Sequence, residues 1–273
     1  MSRELEEPAN SNREQTVVIT GASSGIGLEL AKCFASEGCR LVLVARNTGA
    51  LESLAAELRR ECGVEIRALP ADLGLPETPA RIFAELQQAG VTVDVLVNNG
   101  GFGAHGNFAA LPLQRQVEMA QVNVTALMHL TGLFLPGMIE RRRSGVLNVA
   151  STAAFQPGPG MAVYFATKAF VLSFGEALAE ELAGKELTVT TLCPGPTKSN
   201  FGKVANFRGG DELTRHAMSA EAVARYGHCA FRRGRVLAIP GLGDRLLTLV
   251  VRLTPRCLVR KLVKRGNVPR TAA

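Results

Sequence analysis

The feature that most constrains this chain is an alternation of short apolar segments with longer segments of helical periodicity. Predicted strands cover 16–20, 40–44, 65–69, 93–97, 145–149 and 188–192, and predicted helices cover 26–37, 48–61, 79–89, 113–140 and 164–182. Near-continuous apolar strands separated by helices indicate a parallel sheet whose two faces are both covered. We therefore expect an α/β fold, a doubly wound parallel sheet with helices on both faces.

The alternation stops after the sixth predicted strand. Residues 194–215 are rich in Gly, Asn and Lys and predict a mobile loop, and 235–239 predicts a short strand at the sheet edge. The polar residues 1–15 lack the apolar core of a secretory signal and are expected to be a flexible leader. The chain thus divides into this leader, one domain over 16–240, and a tail over 241–273.

The positive charge of the chain is concentrated in that tail. From Phe231 onward there are eleven lysines and arginines and one acidic residue, so this part carries +10 and the preceding 230 residues carry −3. Residues 245–265 set leucines and valines against arginines and lysines, a basic amphipathic pattern that Pro255 interrupts. Three interpretations stay open: a helix packed on the domain or a second subunit, a helix on a membrane surface, and a contact for an acidic partner.

The number and positions of the cysteines indicate the cellular compartment of the protein. The six cysteines form no CxxC pair and lie in apolar or helical segments, which favours a reducing, cytoplasmic location. The chain has no run of about eighteen uninterrupted apolar residues, which argues against a transmembrane helix. We therefore expect a cytoplasmic protein, with peripheral membrane contact through the tail as the alternative.

A glycine-rich turn joins the first predicted strand to the first predicted helix. It reads Thr20-Gly21-Ala22-Ser23-Ser24-Gly25-Ile26-Gly27, with GxxxGxG spacing. Glycines in such a turn let the backbone approach a pyrophosphate, and the following helix presents unpaired N–H groups and the positive end of its dipole. Because the turn lies between a strand and a helix, it predicts a Rossmann-like dinucleotide-binding domain.

The end of the second predicted strand indicates which dinucleotide is favoured. NAD enzymes usually have an acidic residue here that binds the ribose, whereas this chain has Ala45 and Arg46. The Arg46 cation can pair with a 2′-phosphate through charge-assisted hydrogen bonds, so NADP(H) is favoured over NAD(H). The alternative is that Arg46 only caps a surface loop, since the glycine turn has no second basic residue.

Several motifs in one order make the chain similar to the short-chain dehydrogenase/reductase superfamily over roughly residues 16–200. They are the glycine turn, Asp72-Leu73, Asn98-Asn99-Gly100-Gly101, Asn123, Ser151, Tyr164-x-x-x-Lys168 and Pro194-Gly195. The tail resembles that of bacterial 3-oxoacyl and hydroxysteroid reductases. The family's NNAG is NNGG here, and the missing methyl group at Gly100 is expected to loosen the loop slightly without loss of binding.

The resemblance implies a set of cofactor contacts. Asp72 and Leu73 are expected to contact the adenine, and Asn98 to Gly101 to stabilise the sheet centre and line the cofactor. The full predicted set is Gly21, Ser23, Ser24, Gly25, Ile26, Gly27, Arg46, Asp72, Leu73, Asn99, Gly100, Gly101, Tyr164, Lys168, Pro194, Gly195 and Thr197.

Three polar residues are expected to carry the chemistry. Ser151 follows the fifth strand, and Tyr164 and Lys168 lie one helical turn apart, so all three are predicted at the carboxyl ends of the strands, where open α/β sheets bind ligands. A lysine beside a tyrosine can stabilise its phenolate, and the resemblance makes Tyr164 the general acid in reduction. It also makes Lys168 a ligand of the nicotinamide ribose and Ser151 the partner of the substrate carbonyl. Asn123 would complete a proton relay.

The substrate is poorly determined, because residues 197–218, which usually form the pocket in this family, are where the resemblance is weakest. His105, in the loop after NNGG, is a further candidate for substrate contact. The four histidines lack paired metal spacing, so no metal site is predicted. An apolar lining would suit a lipophilic ketone or acyl chain, although each candidate could be ordinary core. The candidates are Phe102, Phe155, Met161, Phe201 and Phe207.

These observations predict an NADP(H)-dependent oxidoreductase that reduces a lipophilic ketone or aldehyde by hydride transfer. The same residues would serve an NAD(P)-linked alcohol or hydroxysteroid dehydrogenase working oxidatively. From a different class, the chain could be a non-catalytic NADP-binding sensor or scaffold, although the complete Ser151, Tyr164 and Lys168 set argues against that. The family also implies a homodimer or homotetramer in which helices 113–140 and 164–182 pair across a two-fold axis. Nucleic acid is not an expected partner.

Overall fold

A parallel sheet forms the centre of the computed structural model, which describes residues 15–141, 144–199, 201–205 and 217–267. Within these ranges the strands are β1 (Thr16–Thr20), β2 (Arg40–Ala45), β3 (Ile66–Pro70), β4 (Val95–Asn98), β5 (Ser144–Val149), β6 (Leu187–Leu192), β7 (Thr197–Lys198), β8 (Met218–Ser219) and β9 (Leu237–Ala238). Seven of them form one sheet in the order β3-β2-β1-β4-β5-β6-β9, with every neighbouring pair parallel. β7 and β8 pair separately.

Helices cover both faces of this sheet. They are α1 (Gly25–Ser36), α2 (Thr48–Cys62), α3 (Thr78–Gln88), α4 (Leu113–Ala120), α5 (Ala126–Ile139), α6 (Ala162–Glu181), α7 (Phe201–Val204), α8 (Ala220–Arg232), α9 (Leu242–Leu253) and α10 (Arg256–Asn267). Alternate side chains of β1 point to opposite faces, so Val17 packs with α1, α2 and α8, whereas Val18 packs with α3 and α5. The predicted doubly wound α/β fold is confirmed.

The helix predicted over 113–140 is interrupted. α4 and α5 are joined by one π-helical turn, Gln121–Thr125, and Asn123 lies in that turn and is buried. Helical stretches 113–139 and 162–181 are long and apolar enough to cross a membrane by length and composition alone. Both pack against the sheet here, and each buries polar side chains, including Asn123 and Lys168.

The second half of the chain departs from prediction in two places. Residues 194–215, expected to be a loop, include β7 and the short helix α7, while residues 206–216 lie outside the described part. α8 was not predicted, although its amino terminus carries a capping signal: the Ser219 hydroxyl accepts a hydrogen bond from the Ala222 amide at 3.1 Å. α8 packs on α1 and completes one helical layer.

The boundaries of the leader and the tail are also clearer in the structure. Gln15, assigned to the leader, is buried, and its backbone carbonyl accepts a hydrogen bond from the Arg40 amide at 2.9 Å. The tail forms α9 and α10, which are separated at Pro255, as its amphipathic pattern predicts. Thr248 and Val259 are buried, so both helices pack on the domain.

Candidate cofactor and active site

A large cavity of about 980 Å³ lies at the carboxyl ends of the strands. Its wall includes residues within two positions of the ends of β1, β2, β3, β4, β5 and β6, and it opens where the strand order reverses between β1 and β4. Crevices at such a reversal are where open α/β sheets bind ligands. Every predicted cofactor residue lines this cavity except Gly27, and Ser151 lines it as well. Asn123 lies behind the wall.

The glycine turn is held in a conformation that only small residues allow. Gly21 and Gly25 have positive φ angles of 66° and 57°. A Cβ atom on Gly27 would lie 2.3 Å from the Gly21 carbonyl oxygen and 2.3 Å from Asn99 Nδ2. Asn99 Nδ2 donates to the carbonyl oxygens of Thr20 and Gly21 at 2.9 and 3.2 Å, which ties the turn to the loop after β4. Gly27 is therefore needed for the close packing of this turn.

The amino terminus of α1 is open towards the cavity. Ser24, the N-cap residue, makes no side-chain capping hydrogen bond within the described structure, and the first turn has no acidic side chain. Ser24 and Gly25 both line the cavity. Unpaired amides and the positive helix dipole at such an end suit an anionic group, so the cradle fits the pyrophosphate of a dinucleotide.

Arg46 follows β2 and faces the same cavity. Its side chain is 60% exposed, and its Nη1 atom lies 3.7 Å from Glu118 Oε1 on α4. Glu118 is held more closely by Arg115, at 3.0 Å. The neighbouring cap is made by Asn47, whose side chain accepts from the Ala50 amide at 3.0 Å. Arg46 therefore has only one weak, exposed ion pair among the described residues and can turn towards a ligand.

Hydrogen bonds to Thr20 hold the NNGG loop against the glycine turn. The amides of Asn99 and Gly100 both donate to Thr20 Oγ1, at 3.0 and 2.9 Å. A methyl group on Gly100 would lie 3.1 Å from Leu73 Cδ1, so Leu73 occupies space that an alanine would need. Asn98 points into the sheet, where its Nδ2 donates to Asn148 Oδ1 at 2.9 Å.

The Asn123 side chain forms hydrogen bonds with two other segments behind the cavity wall. Its Oδ1 accepts from the Phe102 amide at 3.0 Å, and its Nδ2 donates to the Phe102 carbonyl at 2.9 Å and to Thr167 Oγ1 at 3.1 Å. These bonds join the π turn, the loop after β4 and α6. Because π turns are frequent at functional sites, this turn supports a local role for Asn123 as a positioning residue.

Ser151, Tyr164 and Lys168 converge on one end of the cavity. The Ser151 hydroxyl accepts from the Ala153 amide at 3.1 Å and is hydrogen-bonded with the Tyr164 side chain. Lys168 Nζ donates to the Val149 carbonyl at 2.8 Å and lies 5.9 Å from the centre of the Tyr164 ring.

Burial dominates the acid–base properties of this group. Burial raises the pKa of Tyr164 to about 12, although the hydrogen bond with Ser151 opposes the shift. Burial likewise lowers the pKa of Lys168 to about 8. The net shift in the pKa of Tyr164 is upward, opposite to the effect expected from a neighbouring lysine alone. At neutral pH the hydroxyl therefore keeps its proton, and the ammonium group is largely charged.

The apolar side of the cavity is smaller than the sequence suggested. Phe102, Met161 and Phe201 line it, and the Phe201 ring lies 5.1 Å from the Tyr164 ring. Phe155 is not part of the wall: it ends the short 3-10 turn Thr152–Phe155, packs against a cluster that includes Leu127 and Leu172, and lies 6.0 Å from the Arg252 guanidinium of α9. Phe207 lies outside the described residues.

His105 does not reach the cavity either. Its Nε2 atom lies 2.6 Å from the Asn267 carbonyl oxygen at the end of α10, and its amide donates to the Ala205 carbonyl at 2.9 Å. His105 therefore anchors the tail instead of lining the pocket.

The tail contributes wall residues that sequence reasoning missed. Asp244 and Leu247 of α9 and Asn267 of α10 all line the cavity. A Cβ atom on Gly195 would lie 2.3 Å from an Asp244 carboxylate oxygen, so Gly195 allows that carboxylate to approach. Partial burial raises the pKa of Asp244. The sequence contains one feature that could have drawn attention to Asp244: it is the only acidic residue in the basic tail 241–273.

The sequence profile of the short chain dehydrogenase family matches residues 15–207 of this chain. The chain belongs to the short chain dehydrogenase family. The match covers β1 to α7 and includes every predicted site residue. It ends before α8, α9 and α10, so the tail lies outside the family's common part.

One similar sequence belongs to a protein longer than this chain. A very-long-chain 3-oxoacyl-CoA reductase of Laccaria bicolor is 37% identical over 177 residues, which are 64% of this chain and 52% of the relative. The chain thus spans about half the length of that relative.

Solved structures of family members cover nearly the whole chain. A short-chain dehydrogenase from Sphingobium yanoikuyae in complex with NADPH has 32% identity and a TM-score of 0.78, covering 95% of this chain and 98% of its own. A short-chain dehydrogenase/reductase from Burkholderia phymatum in complex with NAD has 26% identity and a TM-score of 0.77, covering 95% and 97%. Family membership therefore supports a nicotinamide cofactor and leaves the choice between NADP and NAD to local residues.

Proposed function

We propose that this chain is an NADP(H)-dependent oxidoreductase that reduces a lipophilic ketone or aldehyde. The observation that carries the proposal is that Ser151, Tyr164 and Lys168 face the same cavity as the glycine turn. The turn and the amino terminus of α1 would hold the pyrophosphate, and the Pro194–Gly195 end of the cavity lies beside the catalytic group. The nicotinamide would supply the hydride.

The protein's own groups would handle the proton and the developing charge. Negative charge on the substrate oxygen would be met by the Ser151 hydroxyl and by the Tyr164 proton. A tyrosine whose pKa is raised keeps its proton at neutral pH, so its resting state is that of an acid. The charged Lys168 would then stabilise the phenolate that remains after transfer.

The cavity's apolar wall supports a lipophilic substrate. Phe102, Met161 and Phe201 line it and pack in one cluster with Tyr164, and Leu247 of α9 also lines it. A relative with 37% identity carries the name of a reductase of very long 3-oxoacyl chains, which agrees with an apolar chain in the pocket. We therefore propose a ketone or aldehyde with a substantial apolar part.

The function is tested by following NADPH absorbance with purified protein and a series of 2-ketones and aldehydes of increasing chain length. We expect kcat/KM to rise with chain length, by about threefold to fourfold for each buried CH₂ group, until the cavity is filled. Small polar ketoses serve as the control series. Tight NADPH binding without turnover of any carbonyl would instead favour a sensor or scaffold.

Arg46 is expected to set the cofactor preference. Replacing it with aspartate removes the cation and places a like charge opposite the 2′-phosphate, so Kd for NADPH should rise by roughly 100-fold, while Kd for NADH changes by less than about threefold. Fluorescence titration with both cofactors measures this. Glu118→Gln is the matched variant: it removes the carboxylate beside Arg46 and should tighten NADPH binding. Equal weakening of both cofactors by Arg46→Asp would refute the proposed preference.

A further inference from the structure

The tail helices expose an unusual share of the chain's apolar surface. Of the fifteen large apolar side chains that are exposed in the described structure, eight lie in α9 and α10. They are Leu242, Leu246, Leu247, Leu249, Val250, Leu253, Leu258 and Leu262. Leu242, Leu246, Leu249 and Leu253 recur at helical spacing and form one stripe, in which Leu242 is 81% exposed and Leu253 is 79% exposed. We call this stripe, together with Leu258 and Leu262 of α10, the leucine face.

Positive charges border the leucine face. The exposed basic residues of the two helices include Arg252, Arg256, Arg260, Lys261, Lys264 and Arg265. Lys261 and Arg265 each follow an exposed leucine of α10 by three residues, so they are its neighbours on the surface of that helix. None of the six forms an ion pair with any acidic side chain in the part of the chain that is described.

A second copy of the chain would be a poor partner for this surface. Two leucine faces packed together by a two-fold axis would bring their basic borders close, and like charges in contact repel. The only acidic residue of the tail, Asp244, faces the cavity and cannot compensate. The family resemblance also implies that the helices around 113–140 and 164–182 form the subunit contacts. This leaves α9 and α10 for another partner.

We propose that the leucine face and its basic border dock on an anionic lipid bilayer. An amphipathic helix with leucines on one side and lysines and arginines beside them lies in the interface, with its apolar face about 5–10 Å into the headgroup and acyl boundary. The basic border then meets anionic headgroups. The surface supplies both the apolar area and the matching charge that such binding requires.

Docking on a bilayer would also position the cavity. Asp244, Leu247 and Asn267 belong to the docking helices and to the cavity wall at once. A lipophilic substrate dissolved in the bilayer would therefore meet the cavity close to the docked surface. This consequence rests on the proposed function, whereas the docking itself does not.

The experiment is co-sedimentation of the full chain with vesicles. One set is phosphatidylcholine alone, and the other is phosphatidylcholine mixed with phosphatidylglycerol. We expect binding to the anionic set only, and weaker binding as salt is added. The test variant is Arg256→Gln/Arg260→Gln/Lys261→Gln/Lys264→Gln. Each basic residue near an anionic surface raises the vesicle partition coefficient by about fivefold. The partition coefficient of this variant should therefore be at least about 100-fold lower than that of the original chain.

A control variant has the same change in net charge away from the tail: Arg60→Gln/Arg81→Gln/Lys185→Gln/Arg225→Gln. It should bind vesicles like the original chain, and circular dichroism and thermal unfolding of all variants check that they are folded. A Leu246→Gln/Leu253→Gln variant should also lose vesicle binding. The proposal is overturned if the original chain stays in the supernatant with anionic vesicles, or if both charge variants bind equally.

Two further outcomes would assign the surface to another partner. Light scattering of the original chain and the Leu246→Gln/Leu253→Gln variant tests for a second copy. If the original is an oligomer that this variant dissociates, the leucine face is a subunit contact and the proposal fails. Binding of poly-glutamate without binding of anionic vesicles would show that the surface takes an acidic protein, and the proposal fails equally.

Discussion

Replacing Tyr164 with phenylalanine is expected to lower kcat for carbonyl reduction by roughly 10²–10⁴-fold, the range that a general acid contributes. The ring would stay in place against Phe165 and Phe201, so Kd for NADPH should rise by no more than about tenfold, the contribution of the one hydrogen bond that the hydroxyl could make to the cofactor. The loss arises because the substrate oxygen no longer receives a proton as its charge develops. Single-turnover measurement of NADPH oxidation, together with fluorescence titration of NADPH, separates the chemical step from binding.

The second tyrosine of the chain provides the control. Tyr226 lies on α8, and its hydroxyl is hydrogen-bonded to Arg245, away from the proposed chemistry. Tyr226→Phe should keep kcat within about twofold. If Tyr164→Phe retained the activity of the original chain, another group would be the acid, and the assignment of the catalytic group would be wrong.

The parts of the fold that sequence predicted well are those fixed by local signals. The β-branched segment 16–20, the glycine turn and the helix after it follow one another without a gap, so local residue types determine their geometry. The same holds for Tyr164 and Lys168, which one helical turn brings together. The convergence of these elements at one cavity follows from the parallel topology, which places all strand ends on one side.

The parts that sequence missed depend on contacts between distant segments. His105 and Asn267 are 162 residues apart, and their contact fixes the tail across the cavity. No local pattern could predict that α9 and α10 would supply wall residues, because amphipathic helices look alike whether they pack on their own domain or elsewhere. The raised pKa of Tyr164 also depends on burial, which the spacing of Tyr164 and Lys168 does not reveal.

The glycine turn shows how a local motif and a distant contact act together. Thr20 and Asn99 lie 79 residues apart, and the hydrogen bonds between them fasten the turn to the loop after β4. Gly27 packs into this junction against the Gly21 backbone and the Asn99 side chain. Gly27 does not line the cavity. Because it has no side chain, however, the turn can pack closely enough to place the amides that do line the cavity.

Gly27→Ala is therefore expected to damage both stability and cofactor binding. The new methyl group would lie 2.3 Å from the Gly21 carbonyl oxygen, and a backbone atom cannot rotate away as a side chain can. Overpacking of this kind costs about 1–3 kcal/mol, so the free energy of unfolding should fall by about that amount. The shifted amides should lose one or two charge-assisted hydrogen bonds, which raises Kd for NADPH by roughly 100-fold.

Gly132→Ala isolates the effect of the added methyl group. Gly132 lies in α5, and a Cβ atom added there would meet no neighbouring group of the described structure within 4 Å. This variant should gain up to about 1 kcal/mol in stability, because alanine is the better helix former. Urea unfolding and NADPH titration of both variants give the comparison. If Gly27→Ala bound NADPH as tightly as Gly132→Ala, the turn would tolerate movement, and the pyrophosphate would have to be held by groups other than the amides that Gly27 positions.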